Sequence, residues 1–337
     1  MPALAVADAL RTRGAEVYFI GGDRAERELV PAAGYALERI AVRGLDRRNP
    51  LRAAEALARS AAASAAARSI LRSRDTTAVL GAGGYVAGPV GLAAVALRLP
   101  LVLSEADSHL GLTNRALAPL ARRVCLAFPI AGLVGPRYLV TGRPVPPAQA
   151  DRSLARQRYR LAASDLMVLV FGGSLGARSI NEAALAGLDG ARFRVLHVTG
   201  TRDWPELRGR ERGARYELVE YLAPADFDVA LAACDLVVAR AGGSIFEIAA
   251  HGRPAILIPY PHATADHQST NARWMVDGGA AVLLPDAELT GPRLASEVGR
   301  LIGDPARREA MSRASLALAR PDAARVIAAE LLAVAYR

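Results

Sequence analysis

The residues of this chain that could do chemistry gather in glycine turns and in the polar loops beside them. The densest stretch runs from Arg240 to Asn271, R-A-G-G-S-I-F-E-I-A-A-H-G-R-P-A-I-L-I-P-Y-P-H-A-T-A-D-H-Q-S-T-N. Gly242 and Gly243 allow a tight turn with exposed backbone. Ser244 stands where a helix N-cap would, and Glu247, three residues on, fits a capping box. Glu247 has a second reading: beside bound phosphates, its carboxylate could accept two hydrogen bonds from a ribose diol. Asp266, His267, Gln268 and Asn271 follow as a polar cluster. A cluster that polar beside a glycine turn has the character of a site.

Gly172-Gly173-Ser174-Leu175-Gly176-Ala177 suits two chemistries. It matches the G-x-S-x-G elbow of α/β-hydrolases, with Ser174 as nucleophile and His197, His251, His262 or His267 as partner. The same residues also suit an anion, because glycines let backbone N–H groups approach it and a serine hydroxyl can donate. The second glycine turn at 242–243 favours the phosphate reading. Arg178 and Asn181 either touch phosphate or face solvent. A further turn, Gly81-Ala82-Gly83-Gly84-Tyr85-Val86-Ala87-Gly88-Pro89, is not a dinucleotide fingerprint, since Val86 occupies the last glycine position. In Ser104-Glu105-Ala106-Asp107-Ser108-His109, His109 stands near Glu105 and Asp107 and is a candidate base, against the plainer reading of a loop histidine with no catalytic part. Asp226-Phe227-Asp228 has a metal-binding spacing, but acids at a helix start are favoured by the helix dipole alone. That structural reading is taken, and no zinc spacing of Cys and His exists.

Strands and helices must hold these loops. A helix over 3–13, with Leu4, Ala7 and Leu10 on one face, leads to a strand at Glu16–Ile20 and another over 35–42. Residues 50–73 read as a long Ala/Arg helix region, either a solvated hairpin or a basic surface. Strands follow at Thr77–Leu80, Pro100–Leu103, Val124–Phe128 and Tyr138–Thr141. A Pro-rich linker covers 143–152. The second half has strands at Leu166–Phe171 and near 193–198, 216–221, 235–239, 255–259 and 281–284, and a last helix at Asp322–Tyr336. Strands alternating with helices imply parallel sheets. The expected domains are therefore 1–142 and 153–320, with a helix over 321–337, and the two halves suggest a ligand cleft. The chain opens on a helix that would follow a strand and glycine loop in a doubly wound domain, so both are expected upstream.

Composition narrows the function classes. The chain has 337 residues, 52% hydrophobic, and a net charge of +9. All its basic residues are arginine: 19 against 11 acids in residues 1–150, and 23 against 22 in the remainder. The excess in the first half suits an anionic membrane surface, met by Arg47, Arg48, Arg52, Arg59, Arg68, Arg72 and Arg74. No nucleic acid is expected, because no recognition motif or aromatic–basic interleaving is present. No apolar run reaches the roughly 18–20 residues of a membrane span. Cys125 and Cys234 lie in apolar runs and read as buried thiols.

With these motifs in place, the 240–271 stretch resembles the donor-nucleotide signature of GT-B glycosyltransferases. The chain as a whole is similar to their family 28. The resemblance implies an α/β GT-B fold, two Rossmann-like domains with parallel sheets facing across a cleft, the first strand and glycine loop missing. It implies inverting, metal-independent transfer of N-acetylglucosamine from UDP-GlcNAc to undecaprenyl-pyrophosphoryl-MurNAc-pentapeptide (lipid I). The product is lipid II of peptidoglycan, made peripherally at the cytoplasmic face of the bacterial membrane, with no cofactor. Ser174, Leu222, Ser244, Ile245, Glu247 and Gln268 would bind the donor. Gly83, Gly84 and Tyr85 would bind the acceptor, and Glu105 would be the catalytic base. The chain departs from the pattern at the first glycine loop, in a shorter 240–247 loop, at Ser104-Glu105-Ala106-Asp107, and at Pro146. The alternatives are another UDP-sugar transferase, a UDP-GlcNAc 2-epimerase, a binding-only remnant, and a hydrolase using Ser174.

Overall fold

The computed structural model describes residues 2–42, 50–210, 212–263 and 266–335, with backbone alone for 50–59. Met1–Val145 and Arg320–Arg337 make one compact unit, and Pro146–Ala319 makes a second.

In chain order the first unit contains α1 (Pro2–Arg11), β1 (Tyr18–Gly21), α2 (Glu26–Ala32), β2 (Ala36–Arg39), α3 (Pro50–Ser73) and β3 (Val79–Gly81). α4 (Gly84–Ala96), β4 (Leu101–Glu105), α5 (Leu112–Leu117), β5 (Arg123–Leu126) and β6 (Tyr138–Val140) follow. The second unit runs through α6 (Arg152–Arg158), β7 (Met167–Phe171), α7 (Arg178–Leu188), β8 (Arg194–Val198), α8 (Trp204–Leu207) and β9 (Tyr216–Val219). It continues with α9 (Pro224–Ala233), β10 (Leu236–Ala239), α10 (Ile245–Ala250), β11 (Ala255–Leu257), α11 (His267–Asp277) and β12 (Ala281–Leu283). α12 (Gly291–Ile302) and α13 (Pro305–Leu318) complete it, and α14 (Ala323–Ala335) returns to the first unit.

The second unit is one parallel six-stranded sheet in the order β12-β11-β10-β7-β8-β9. Its central strands, Met-Val-Leu-Val-Phe and Leu-Val-Val-Ala, are buried throughout, as strands covered by helices on both faces must be. Leu294, Val298 and Leu301 of α12 seal one face together with Ile180, Ala184 and Leu188 of α7. These two helices approach so closely that a Cβ on Gly187 would lie 2.1 Å from the carbonyl oxygen of Gly291. Asp151, Thr290 and Asp304 cap α6, α12 and α13 by accepting from the N–H groups of Leu154, Arg293 and Arg307.

The first unit holds two parallel sheets, β1-β2 and β3-β4-β5-β6. A cavity of about 420 Å³ is lined by β1 and β3, by Ala7 and Leu10 of α1, and by Val86 and Val90 of α4. On one face Val6 and Leu10 pack with Ile327 and Leu331 of α14, which ties the C-terminal helix to this unit. On the other, α3 and α4 cover Leu101, Leu103 and Val124. α3 is one continuous helix, which corrects the hairpin reading. No Gly or Pro interrupts residues 51–73, and Ala63, Ala67 and Leu71 form a buried stripe that fixes the helix to the core. Arg68 and Arg72 are exposed, while Arg74 pairs with Glu38. Arg47 and Arg48 lie outside the described residues, as do the side chains of Arg52 and Arg59. Cys125 and Cys234 are free and buried, and burial pushes both thiols up to about 12.

Candidate donor and acceptor sites

In the second unit the chain builds β7, β8 and β9 outward on one side, then returns to place β10 on the other side of β7. The order therefore reverses at β7, and open α/β sheets bind ligands beyond the strand ends at such a point. Both expected donor loops are there. Phe171 pairs with Ala239, so the turns beginning at Gly172 and Arg240 leave neighbouring strands side by side.

The Gly172–Ala177 turn is forced by its backbone. Gly173 and Gly176 have φ of +97° and +85°, and a Cβ on Gly172 would sit 2.4 Å from Ala177. α7 follows with no side chain capping it, so its first N–H groups point outward with the positive end of the helix dipole. Ser174 and Leu175 are exposed on the turn. Ser174 lacks the left-handed backbone that the strained hydrolase elbow would give it, since the described non-glycine residues with positive φ are Asp75, Arg98, Arg160 and Asp266. His197 cannot serve it as a base. That ring is fully buried and bonds Asn181 and Tyr216 through its two nitrogens. Burial holds His197 down to about 3.

Ser244 occupies the N-cap position of α10 but does not cap it, a correction to the capping-box reading. A capping side chain needs extended backbone, whereas Ser244 is helical at φ −63° and ψ −13°. The carbonyls of Gly242 and Gly243 take the N–H groups of Ile245 and Phe246 instead, at 3.3 Å each. The side chain of Ile245 is fully buried, so only its backbone can meet a ligand. Glu247 is half-buried in the first turn of α10, and Leu222 is half-buried between β9 and α9. Gln268, in the first turn of α11, accepts the Tyr260 N–H at 3.0 Å through Oε1, which directs its amide N–H₂ away from that bond.

Asn181 and Asn271 differ from expectation. Both are buried, at 1% and 2% exposure, so neither faces solvent or a bound phosphate. Asn271 donates to the carbonyl of Ala241 at 3.0 Å and so steadies the second glycine turn. Arg178 pairs with Glu206 and stands 3.8 Å from Asp203. Asp226 and Asp228 have structural partners. Asp226 pairs with Arg158, while Asp228 accepts from the Gln149 and Ala150 N–H groups and bonds His251.

Arg240, at the head of the 240–271 stretch, has a role that its sequence neighbours do not specify. It is 9% exposed and donates to the carbonyls of Ile258 and Pro259, to Asp286 and to the Ser179 hydroxyl. It thereby ties the start of α7 to the ends of β10 and β11, and its guanidinium lies 5.5 Å from the centre of the Tyr260 ring. An arginine directly after a buried apolar strand was the available signal.

In the first unit, Gly81 of β3 pairs with Leu103 of β4, so the loops after these strands are also neighbours. Gly83 and Gly84 have φ of +82° and +78°, with open space where a Cβ would be. Glycine is needed there for backbone conformation, and the space leaves room for a ligand. No side chain caps α4. Tyr85, 55% exposed, carries Arg24 over its ring at 5.2 Å. Glu105 is 7% exposed and accepts from the N–H groups of Asp107 (3.1 Å) and Gly111 (2.8 Å) and from Asn114 Nδ2 (2.9 Å). It is the anchor of the 105–111 loop. A carboxylate has about four acceptor sites, and these bonds place two on Oε2 and one on Oε1.

Comparison with known proteins identifies the family and the fold. The model described as "Glycosyltransferase family 28 N-terminal domain" matches residues 1–126, and "Glycosyltransferase family 28 C-terminal domain" matches 167–327. The UDP-N-acetylglucosamine--N-acetylmuramyl-(pentapeptide) pyrophosphoryl-undecaprenol N-acetylglucosamine transferase of Moorella thermoacetica is 41% identical, over 97% of this chain and 93% of its own. That of Stutzerimonas stutzeri is 40% identical, over 99% and 95%. Among solved structures, Acinetobacter baumannii MurG superposes with a TM-score of 0.80 at 27% identity, covering 98% of this chain and 95% of its own. The UDP-GlcNAc 2-epimerase of Neisseria meningitidis, at 12% identity and a TM-score of 0.65 over 98% and 95%, shares the fold alone.

Proposed function

The chain belongs to glycosyltransferase family 28, and on that premise we propose how its residues divide the work of the transfer. The protein is a UDP-GlcNAc-dependent hexosyltransferase of GT-B fold that makes lipid II from lipid I in peptidoglycan synthesis. The observation that carries the division of labour is the pair of glycine turns at the β7/β10 reversal, beside the uncapped start of α7.

In this reading the donor diphosphate lies on the N–H groups of the 173–178 turn other than Gly176, whose N–H donates to the Gly173 carbonyl, with the Ser174 hydroxyl and the Ser244–Ile245 backbone beside it. Glu247 accepts from the ribose diol. Leu222 packs on the uracil, and the Gln268 amide N–H₂ meets the sugar hydroxyls. Gly83, Gly84 and Tyr85 at the start of α4 receive the acceptor pyrophosphate. The acceptor hydroxyl oxygen bonds to the anomeric carbon as the carbon–oxygen bond to UDP breaks and UDP keeps the electron pair. Helix N-termini stabilise the charge developing on the diphosphate, and Glu105 Oε1 takes the hydroxyl proton.

The first unit also faces an anionic membrane surface, with Arg68 and Arg72 exposed on α3 and Leu92, Leu112 and Leu120 exposed on its other helical segments. Among the described residues no helix is long and apolar enough to cross a membrane.

A transfer assay with UDP-GlcNAc and a lipid I analogue tests the reading. A β-linked disaccharide and stoichiometric UDP are expected. Free UDP with no disaccharide, or a retained anomeric configuration, would overturn it.

A further inference from the structure

Under the donor turn lies a buried polar chain whose proton directions are dictated by its ends. Asn181 Nδ2 stands 2.8 Å from Asp203 Oδ2 and 3.0 Å from the Thr199 carbonyl oxygen. Both oxygens only accept, because the Arg202 guanidinium beside Asp203 holds that carboxyl below its usual range. The amide must therefore present its N–H₂ to them and its Oδ1 to His197 Nε2, 2.9 Å away. Nε2 is then the protonated ring nitrogen. Nδ1 is an acceptor, and the Tyr216 hydroxyl donates to it at 2.8 Å. The order is Tyr216 to His197 to Asn181 to Thr199 and Asp203, with one arrangement of hydrogens.

What this chain holds in place is the segment 199–203. That segment clamps the donor turn from the side: Thr201 N–H donates to the Ser174 carbonyl at 3.2 Å and Arg202 N–H to the Leu175 carbonyl at 3.4 Å. Gly176 packs on Thr199 and Gly200 with no room for a Cβ on either glycine. Asp203 also gathers two arginines at the turn, Arg202 at 2.8 Å and Arg178 at 3.8 Å.

We propose that Asn181 and His197 are positioning residues for the donor diphosphate, setting the 199–203 clamp that shapes the Gly172–Ala177 turn. The assignment rests on the donor reading above. The two residues touch no substrate. They act on the part of the donor that meets the turn and leave the nucleoside contacts at Leu222 and Glu247 unchanged.

The test compares UDP with uridine. In Asn181→Asp, which keeps the side-chain shape but sets a second carboxyl against Asp203 in place of the N–H₂, UDP should bind about tenfold or more weakly, the cost of a charge-assisted hydrogen bond misplaced. Uridine should bind within about twofold of wild type. KM for UDP-GlcNAc should rise more than kcat falls. His197→Gln should give the same pattern, and Tyr216→Phe, which removes only the outermost donor, a smaller one. If the Asp variant fails to fold, the other two decide. Equal weakening of UDP and uridine, or none, overturns the proposal. Failure of the wild-type protein to bind UDP would instead overturn the donor reading.

Discussion

Gly176 and Gly200 meet backbone to backbone. A Cβ on Gly176 would lie 1.9 Å from the carbonyl oxygen of Thr199, and one on Gly200 would lie 2.0 Å from the Gly176 nitrogen. Both have positive φ, +85° and +80°. Alanine at either place is strained and must push the two loops apart. Gly176→Ala should therefore cost about 2 kcal/mol or more in stability, read from denaturant unfolding, and should abolish measurable UDP binding. Wild-type stability in that variant would show the loops can separate freely.

Ser174 should stay unlabelled by a fluorophosphonate. Its backbone is not in the left-handed region, and His197, on the strand paired with β7, has both ring nitrogens occupied. Stoichiometric labelling detected by mass spectrometry would reinstate the hydrolase reading.

Burial keeps His197 neutral, near 3 in the folded protein against 6.5 when unfolded. Below pH 6.5 the unfolded chain takes up a proton that the folded one refuses. Stability should therefore fall with acid, by up to about 1.4 kcal/mol per pH unit between 6.5 and 3 from this group. It should be fully present above 6.5. Between pH 7 and pH 5, the second unit of His197→Gln should lose less stability than wild type. Parallel losses in the two proteins would remove His197 as the source.

Glu105→Ala leaves the Asp107 and Gly111 N–H groups without their acceptor and the Asn114 amide with the Ser104 carbonyl alone. The loop should lose about 1–3 kcal/mol of local stability, read by hydrogen exchange at Gly111. As the base, Glu105 should lose kcat in Glu105→Asp even though that variant retains the loop better than Ala. An unchanged kcat in Glu105→Asp would leave Glu105 as the loop anchor only.

The turns were legible because glycine, proline and β-branched runs act locally, so the strands of both units and the glycine loops could be read from spacing. Side-chain destinations were not. Asn181 reads as touching phosphate or facing solvent until the fold sets it against His197 and Thr199. Ser244 has the composition of a cap, but two preceding glycines let the chain enter α10 already helical. The sheet order that sets β10 beside β7 is a long-range pairing, and no window of sequence contains it. The same holds for α14, whose Ile327 and Leu331 return to the first unit after the whole second one.

The central claim is that Glu247 reads the ribose beside a diphosphate held by the two glycine turns. The direct measurement is a binding cycle by calorimetry with UDP and 2′,3′-dideoxy-UDP, on wild type and Glu247→Ala. Wild type should bind UDP more tightly than the dideoxy compound by about 1–3 kcal/mol. Glu247→Ala should bind the two alike, at the level of the weaker one. If Glu247→Ala still prefers UDP by the wild-type margin, the ribose is held elsewhere and the donor site is misassigned.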